Sequence, residues 1–99
     1  MITLEQPVIV EGKYDKIALE NVIDALIIPT NGFRIFKDRE KCRLIRDLAA
    51  KHGVIVMTDS DGAGKLIRGY LKQIIGEAEI IQVYLPRVPG KEKRKSHVH

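Results

Sequence analysis

Ninety-nine residues, 44% of them apolar, make one domain with one core, and with five aromatic residues and no Trp that core must be mainly Ile, Leu and Val. Cys42 is the only cysteine, which excludes an internal disulfide and fits a reducing cytosol; no apolar run approaches the roughly 20 residues of a membrane span, and no signal-peptide layout opens the chain. The net charge of +4 sits entirely in the last fourteen residues: residues 1–85 balance twelve Lys/Arg with twelve Asp/Glu, whereas Arg87, Lys91, Lys93, Arg94 and Lys95 face Glu92 alone.

Pro7 to Val10 is a short β-branched run, the pattern of a strand buried on both faces. Lys13 to Ala25 carries Ile17, Ala18, Leu19, Val22 and Ile23 at helical spacing, which predicts a first helix. Leu26 to Ile28 reads as a second strand, stopped by Pro29 and the Asn31-Gly32 turn pair. Asp38 to His52 is a charged helix with Leu44, Ile45, Leu48 and Ala49 on one face, ending at Gly53, where a left-handed cap is expected. Val54 to Met57 is a third strand. Leu66, Ile67, Tyr70, Leu71, Ile74 and Ile75 give the third helix its apolar face, and Gly76 closes it. Ile80 to Leu85 is a fourth strand. Four strands alternating with three helices on short connections predict an α/β fold, a single three-layer domain over residues 1–86 with a four-stranded parallel sheet. Residues 87–99 are then expected to form a basic, flexible C-terminal tail suited to phosphate backbones.

Three carboxylates stand where the fold does not require them. Glu11 follows the first strand and precedes Gly12; Asp59 and Asp61 follow the third, with Gly62 and Gly64 behind them. The carboxyl ends of parallel strands are where open α/β sheets build ligand sites. In a strand order 2-1-3-4 the first and third strands are neighbours, and the three carboxylates meet in one crevice. Their mutual repulsion favours a divalent cation, Mg²⁺ or Mn²⁺, as hard oxygen donors do, and such an ion suits phosphodiester chemistry. Plainer readings exist for two of them: Asp61 as a helix cap, and Glu11 as an acid favoured by the helix dipole. Asp59 has no such alternative. A P-loop fails because Asp59 takes the place of the first Gly and Leu66 that of Ser/Thr. An EF-hand fails because Ala63 and Tyr70 would fall at ligand positions. Asp59-Ser60-Asp61-Gly62 also resembles the opening of a haloacid-dehalogenase-type phosphatase, but too little chain follows for that family's later motifs, and Glu11 would go unexplained.

Val10-Glu11-Gly12-Lys13-Tyr14-Asp15, followed by Asp59-x-Asp61 after a buried strand, resembles the Toprim domain of topoisomerases, primases and small nucleases. Thr30-Asn31-Gly32, Thr58-Asp59-Ser60-Asp61-x-x-Gly64 and Tyr84-Leu85-Pro86 are similar to the ribonuclease M-five-like group within it. The resemblance implies that Glu11 helps to bind metal or moves a proton, and that Asp59 and Asp61 hold the metal. Asp15 matches the acid that commonly follows the Glu motif, although a helical position also suits a structural role. Lys13, Lys65, Arg87, Lys91, Lys93, Arg94 and Lys95 are the candidate nucleic-acid contacts; Lys13 and Lys65 fit a solvated surface equally well.

The resemblance further implies a cytoplasmic, Mg²⁺-dependent endoribonuclease hydrolysing structured, ribosomal-precursor RNA, with no membrane partner. The group's chains continue into a second, smaller domain, so a missing C-terminal domain or a ribosomal protein is an expected partner, and a homodimer is compatible with the chain's size. The alternative is a non-catalytic metal- and nucleic-acid-binding module, or a fragment of a larger Toprim enzyme. Nucleotidyl transfer would need nucleotide-binding domains that the sequence does not contain. His97 and His99 read as tail residues rather than metal ligands.

Overall fold

The computed structural model describes residues 1–85. Its strands are β1 (Ile2–Thr3), β2 (Val8–Val10), β3 (Ile23–Asp24), β4 (Ile27–Pro29), β5 (Val54–Thr58) and β6 (Ile80–Tyr84). The helices are α1 (Lys13–Glu20), α2 (Arg39–His52) and α3 (Asp61–Ile75), with a 3-10 turn at Arg34–Lys37. The main sheet is parallel in the order β4-β2-β5-β6, the 2-1-3-4 order read from the sequence. β1 and β3 form a separate two-stranded parallel ladder.

Side-chain alternation divides the core between the two faces of the sheet. Ile9, Ile28, Val54 and Val56 face α2 and α3, where Ile45, Ala49, Ile67, Leu71 and Ile75 complete a buried cluster. Val8, Val10, Ile27, Ile55 and Met57 point the other way and pack with Ile23. β2 and β5 are buried along their whole length, which explains their unbroken apolar runs. β4 is an edge strand, the position at which Pro29 is tolerated in a ladder.

The helices start and stop for local reasons. Asp38 caps α2 by accepting from the Lys41 N–H at 3.1 Å, and Lys51 and His52 lie in the last turn, where the helix dipole favours cations. Gly53 ends it at φ 80° and ψ −178°, so its φ is positive as expected while its ψ lies outside the left-handed helical region.

The first helix is shorter than the periodicity implies. α1 stops at Glu20, and Asn21 closes it by donating its side-chain N–H to the Ile17 carbonyl. Ile23 leaves the helix for β3, where it is buried with side chains of β2, β4 and β5, whereas Val22 stays in the turn, 55% exposed, donating its N–H to the Leu19 carbonyl at 3.0 Å and accepting from the Ile2 N–H at 3.1 Å. No residue of α1 is itself buried. Leu26 stays outside β4, whose ladder takes in Pro29 instead. In α2, Leu44 is 42% exposed and off the buried face. In α3 the buried stripe is Gly64, Ile67, Leu71 and Ile75; Leu66 and Tyr70 lie off it, 55% and 43% exposed.

Candidate functional site

β2 and β5 run side by side with Val10 opposite Met57. The chains therefore leave the sheet together, one through Glu11 into α1 and the other through Thr58 and Asp59 into α3. Adjacent strands are about 5 Å apart, so the backbones at Glu11 and Asp59 lie near each other at the carboxyl end of the sheet. Glu11 and Asp61 are exposed and Asp59 is half-buried.

The two strand ends that carry these acids are held by different local devices. The Glu11 carbonyl is held by the loop after β4: Thr30 donates its hydroxyl at 2.9 Å and Asn31 its N–H at 3.2 Å, while the Thr30 N–H bonds to the Val10 carbonyl. Asn31, Gly32 and Phe33 all have positive φ, which turns this loop sharply along the same rim. Thr30-Asn31-Gly32 thus braces the Glu11 strand end. Gly12 is the N-cap of α1, so Glu11 stands before the helix rather than in its first turn. Asp15 takes a capping role, accepting from the Gly12 N–H at 3.3 Å.

At the other strand end Ser60 is the N-cap of α3, its hydroxyl oxygen accepting from the Ala63 N–H at 3.3 Å. Capping therefore does not account for Asp61, which is the first helical residue. Tyr84, at the end of β6, donates its hydroxyl to Asp61 Oδ1 at 2.6 Å. Beneath the start of α3 lies a polar network. Thr58 is buried and donates to the Ser60 carbonyl at 3.0 Å; Gln82 donates to Thr58 Oγ1 at 3.1 Å and to the Val56 carbonyl at 3.2 Å, and accepts from Arg68. This network fixes the register of α3 on β5 and β6, and with it the placement of Asp61. In the sequence Gln82 shows only as a polar residue inside an otherwise apolar strand, with nothing to tie it to Thr58 or Arg68. Tyr84 stands out in the sequence only through the family resemblance.

The N-termini of α1 and α3 both lie at the carboxyl end of the sheet, directly after these adjacent strand ends. Among the described residues, no group of three or more His, Cys, Asp or Glu side chains is gathered closely enough to hold a metal ion by itself. The arrangement is an acidic rim rather than a closed cage. Lys13 is exposed, with its ammonium 5.4 Å from the Tyr14 ring centre, and Lys65 is exposed one helical turn beyond Asp61. Arg87, Lys91, Lys93, Arg94 and Lys95 lie outside the described residues, and so does the boundary expected after residue 86. Among the described residues no helix is long and apolar enough to cross a membrane.

Comparison with known proteins follows the same span of chain. Residues 6–88 match the family model described as the Toprim domain. The chain is similar to ribonuclease M5 of Fusobacterium nucleatum subsp. nucleatum, at 32% identity over 87 residues, 88% of this chain and 46% of that protein. Ribonuclease M5 of Clostridium botulinum is 37% identical over 68 residues, 69% of this chain and 36% of the relative. Ribonuclease M5 of Bacillus anthracis is 30% identical over 95 residues, 96% of this chain and 49% of the relative. The chain spans about half the length, or less, of these curated relatives.

Proposed function

This chain belongs to the Toprim domain family, and from that premise we propose that it carries the phosphodiester-cutting centre of a divalent-cation-dependent endoribonuclease acting on structured RNA. The observation that carries this reading is the register of β2 on β5, which brings Glu11 and Asp59 to adjacent strand ends. The names of its relatives support ribonuclease activity. Precursor ribosomal RNA is the proposed substrate.

The residues present fit a divalent cation. Their donors are hard carboxylate oxygens, and Mg²⁺ is usually held by one or two carboxylates with water and phosphate completing its shell, so a three-ligand cage is not required. There is also room: a Cβ built at Gly12 or Gly62 would meet nothing within 4 Å, which leaves open space over both helix starts. When bound, Mg²⁺ would neutralise charge on the phosphate and assist ionisation of water.

The chain's own groups divide the remaining work. Asp59 and Asp61 hold the cation, with Asp61 oriented by the Tyr84 hydroxyl. Glu11, exposed at the rim, would border the cation from the β2 side, and accepts a proton from the attacking water or delivers one to the departing oxygen. The backbone N–H groups in the first turn of α3 suit a phosphate oxygen. Lys13, Lys65 and the basic residues from Arg87 to Lys95 attract the RNA backbone. The test is cleavage of end-labelled structured RNA with Mg²⁺, with EDTA, and with Asp59→Asn. The reading requires cutting that EDTA and the variant both abolish. Retained RNA binding without cutting by the wild-type chain would instead favour a binding module.

A further inference from the structure

Three of the five aromatic residues collect at one place on the surface, away from the carboxylates. Tyr70 stacks on Phe36 with ring centres 4.9 Å apart and on Phe33 at 5.1 Å, with interplanar angles of 12° and 29°. The three rings line an open cavity of about 390 Å³ together with Arg34 and Lys37. Phe33 sits at φ 71°, a conformation that bulky residues rarely adopt and that costs on the order of 1–3 kcal/mol. Phe33 and Phe36 are half-buried where they pack against the core, whereas Tyr70 is 43% exposed and stands clear of the buried stripe of its own helix, so the cluster presents a ring at the surface.

A second cavity continues from the first, sharing Gln73 and Ile74 with it, and is bordered by Arg39, Arg43 and Arg46. These arginines recur at intervals of four and three along α2, so they form one row on one helix face. Among the described residues no carboxylate lines either cavity. A stacked aromatic face at the end of a row of cations is the arrangement that binds single-stranded nucleic acid: bases stack on rings and phosphates follow the charges.

The groove is connected to the acidic rim. The loop that carries Phe33 is the one whose Thr30 and Asn31 hold the Glu11 carbonyl. Tyr70 lies nine residues beyond Asp61 on α3, about 14 Å along the helix axis.

We propose that Phe33, Phe36 and Tyr70 form a stacking platform for one unpaired base of the RNA, and that the adjoining phosphates run along Arg39, Arg43 and Arg46. This rests on the reading of the chain as an RNA-cutting protein and adds to it a means of selecting RNA: an unpaired nucleotide near the cut is recognised by its π-face. Such a platform tolerates any base in preference to none.

The test uses the full chain and a single-stranded oligoribonucleotide containing 2-aminopurine, titrated in EDTA so that binding is read without metal. The wild type and Tyr70→Phe quench the fluorophore on binding. Tyr70→Ala loses the quenching and binds about tenfold more weakly, the usual effect of losing a stacking ring. Tyr70→Leu, which keeps apolar packing without a π-face, also loses the quenching and serves if the alanine variant does not fold. Arg43→Gln keeps the quenching but weakens binding and flattens its salt dependence. RNA binding with unaltered affinity and quenching in Tyr70→Leu would overturn the platform and leave the nuclease reading intact. Quenching lost in Tyr70→Leu, in a protein whose wild type cuts no RNA with Mg²⁺, would support the platform and remove the nuclease. A wild-type chain that binds no RNA in EDTA would overturn the platform alone, provided that it still cuts RNA with Mg²⁺.

Discussion

Asp61 stands one residue inside α3, relieved of capping by Ser60 and bonded to the Tyr84 hydroxyl. That exposed bond is one a structural role does not need, whereas an acid holding a cation gains from a fixed orientation. Tyr84→Phe therefore leaves the midpoint of thermal unfolding unchanged and raises the Mg²⁺ concentration needed for half-maximal cutting. A shift of about fivefold corresponds to one hydrogen bond of about 1 kcal/mol, and a Mg²⁺ titration of the cleavage rate measures it. Cys42 is a contrasting case. Burial first, and the negative charge of Asp38 second, push its thiol above the ordinary value of 9.0. Its Sγ donates to the Ile35 carbonyl at 3.4 Å. The thiol form predominates at neutral pH, so Cys42 reacts with iodoacetamide more slowly in the folded chain than in the urea-unfolded chain. Because the folded-state value is the higher one, the stability this group contributes is complete below the unfolded value and is lost as pH rises through the folded value. A series of unfolding curves at alkaline pH shows the fall, and Cys42→Ala reduces it.

At the scale of elements, α3 joins the site to the core. Its buried stripe anchors it on the sheet, while the Thr58, Gln82 and Arg68 network sets its start. Two glycines in its first turns separate stability from function. A Cβ at Gly64 would come within 2.9 Å of Gln82 Oε1 and 3.1 Å of Thr58 Oγ1; those atoms are tied into the network, so Gly64→Ala destabilises by about 1–3 kcal/mol. A Cβ at Gly62 meets nothing within 4 Å, so Gly62→Ala is neutral or stabilises by up to about 1 kcal/mol. It nonetheless slows cutting by filling space that a phosphate would use. Urea unfolding and cleavage rates, measured on both variants, separate the two effects. β2, α2, β5 and α3 were legible because long apolar runs and caps repeat the same message at several positions. The end of α1 was not, because Val22 and Ile23 satisfy helical spacing and strand preference alike, and only the packing of Ile23 against β2, β4 and β5 decides between them. The two-residue strands β1 and β3 are too short to show a period. The outward position of Leu66 and Tyr70 escaped for a similar reason: a six-residue apolar face does not say which of its edges the sheet covers.

For the whole molecule, the strand order follows from connection length and handedness. It is what makes a pair of distant motifs, Glu11-Gly12 and Asp59-Ser60-Asp61, a single rim. The position of the acidic residues was thus readable from strand ends alone. The aromatic and arginine groove was not, since Phe33, Phe36 and Tyr70 are brought together only when the loop after β4 packs against α3. Charge is likewise divided: the basic excess lies after residue 85, and the carboxylates lie at the centre of a balanced body.

The central claim, that the adjacent ends of β2 and β5 form one metal centre, is tested most directly by Mn²⁺ binding followed through its electron paramagnetic resonance signal. Wild type, Glu11→Gln and Asp59→Asn would be titrated side by side. The account predicts at least one site in the wild type that each substitution weakens about tenfold or more, as loss of a group at a metal centre does. Equal Mn²⁺ binding by all three folded proteins would contradict it.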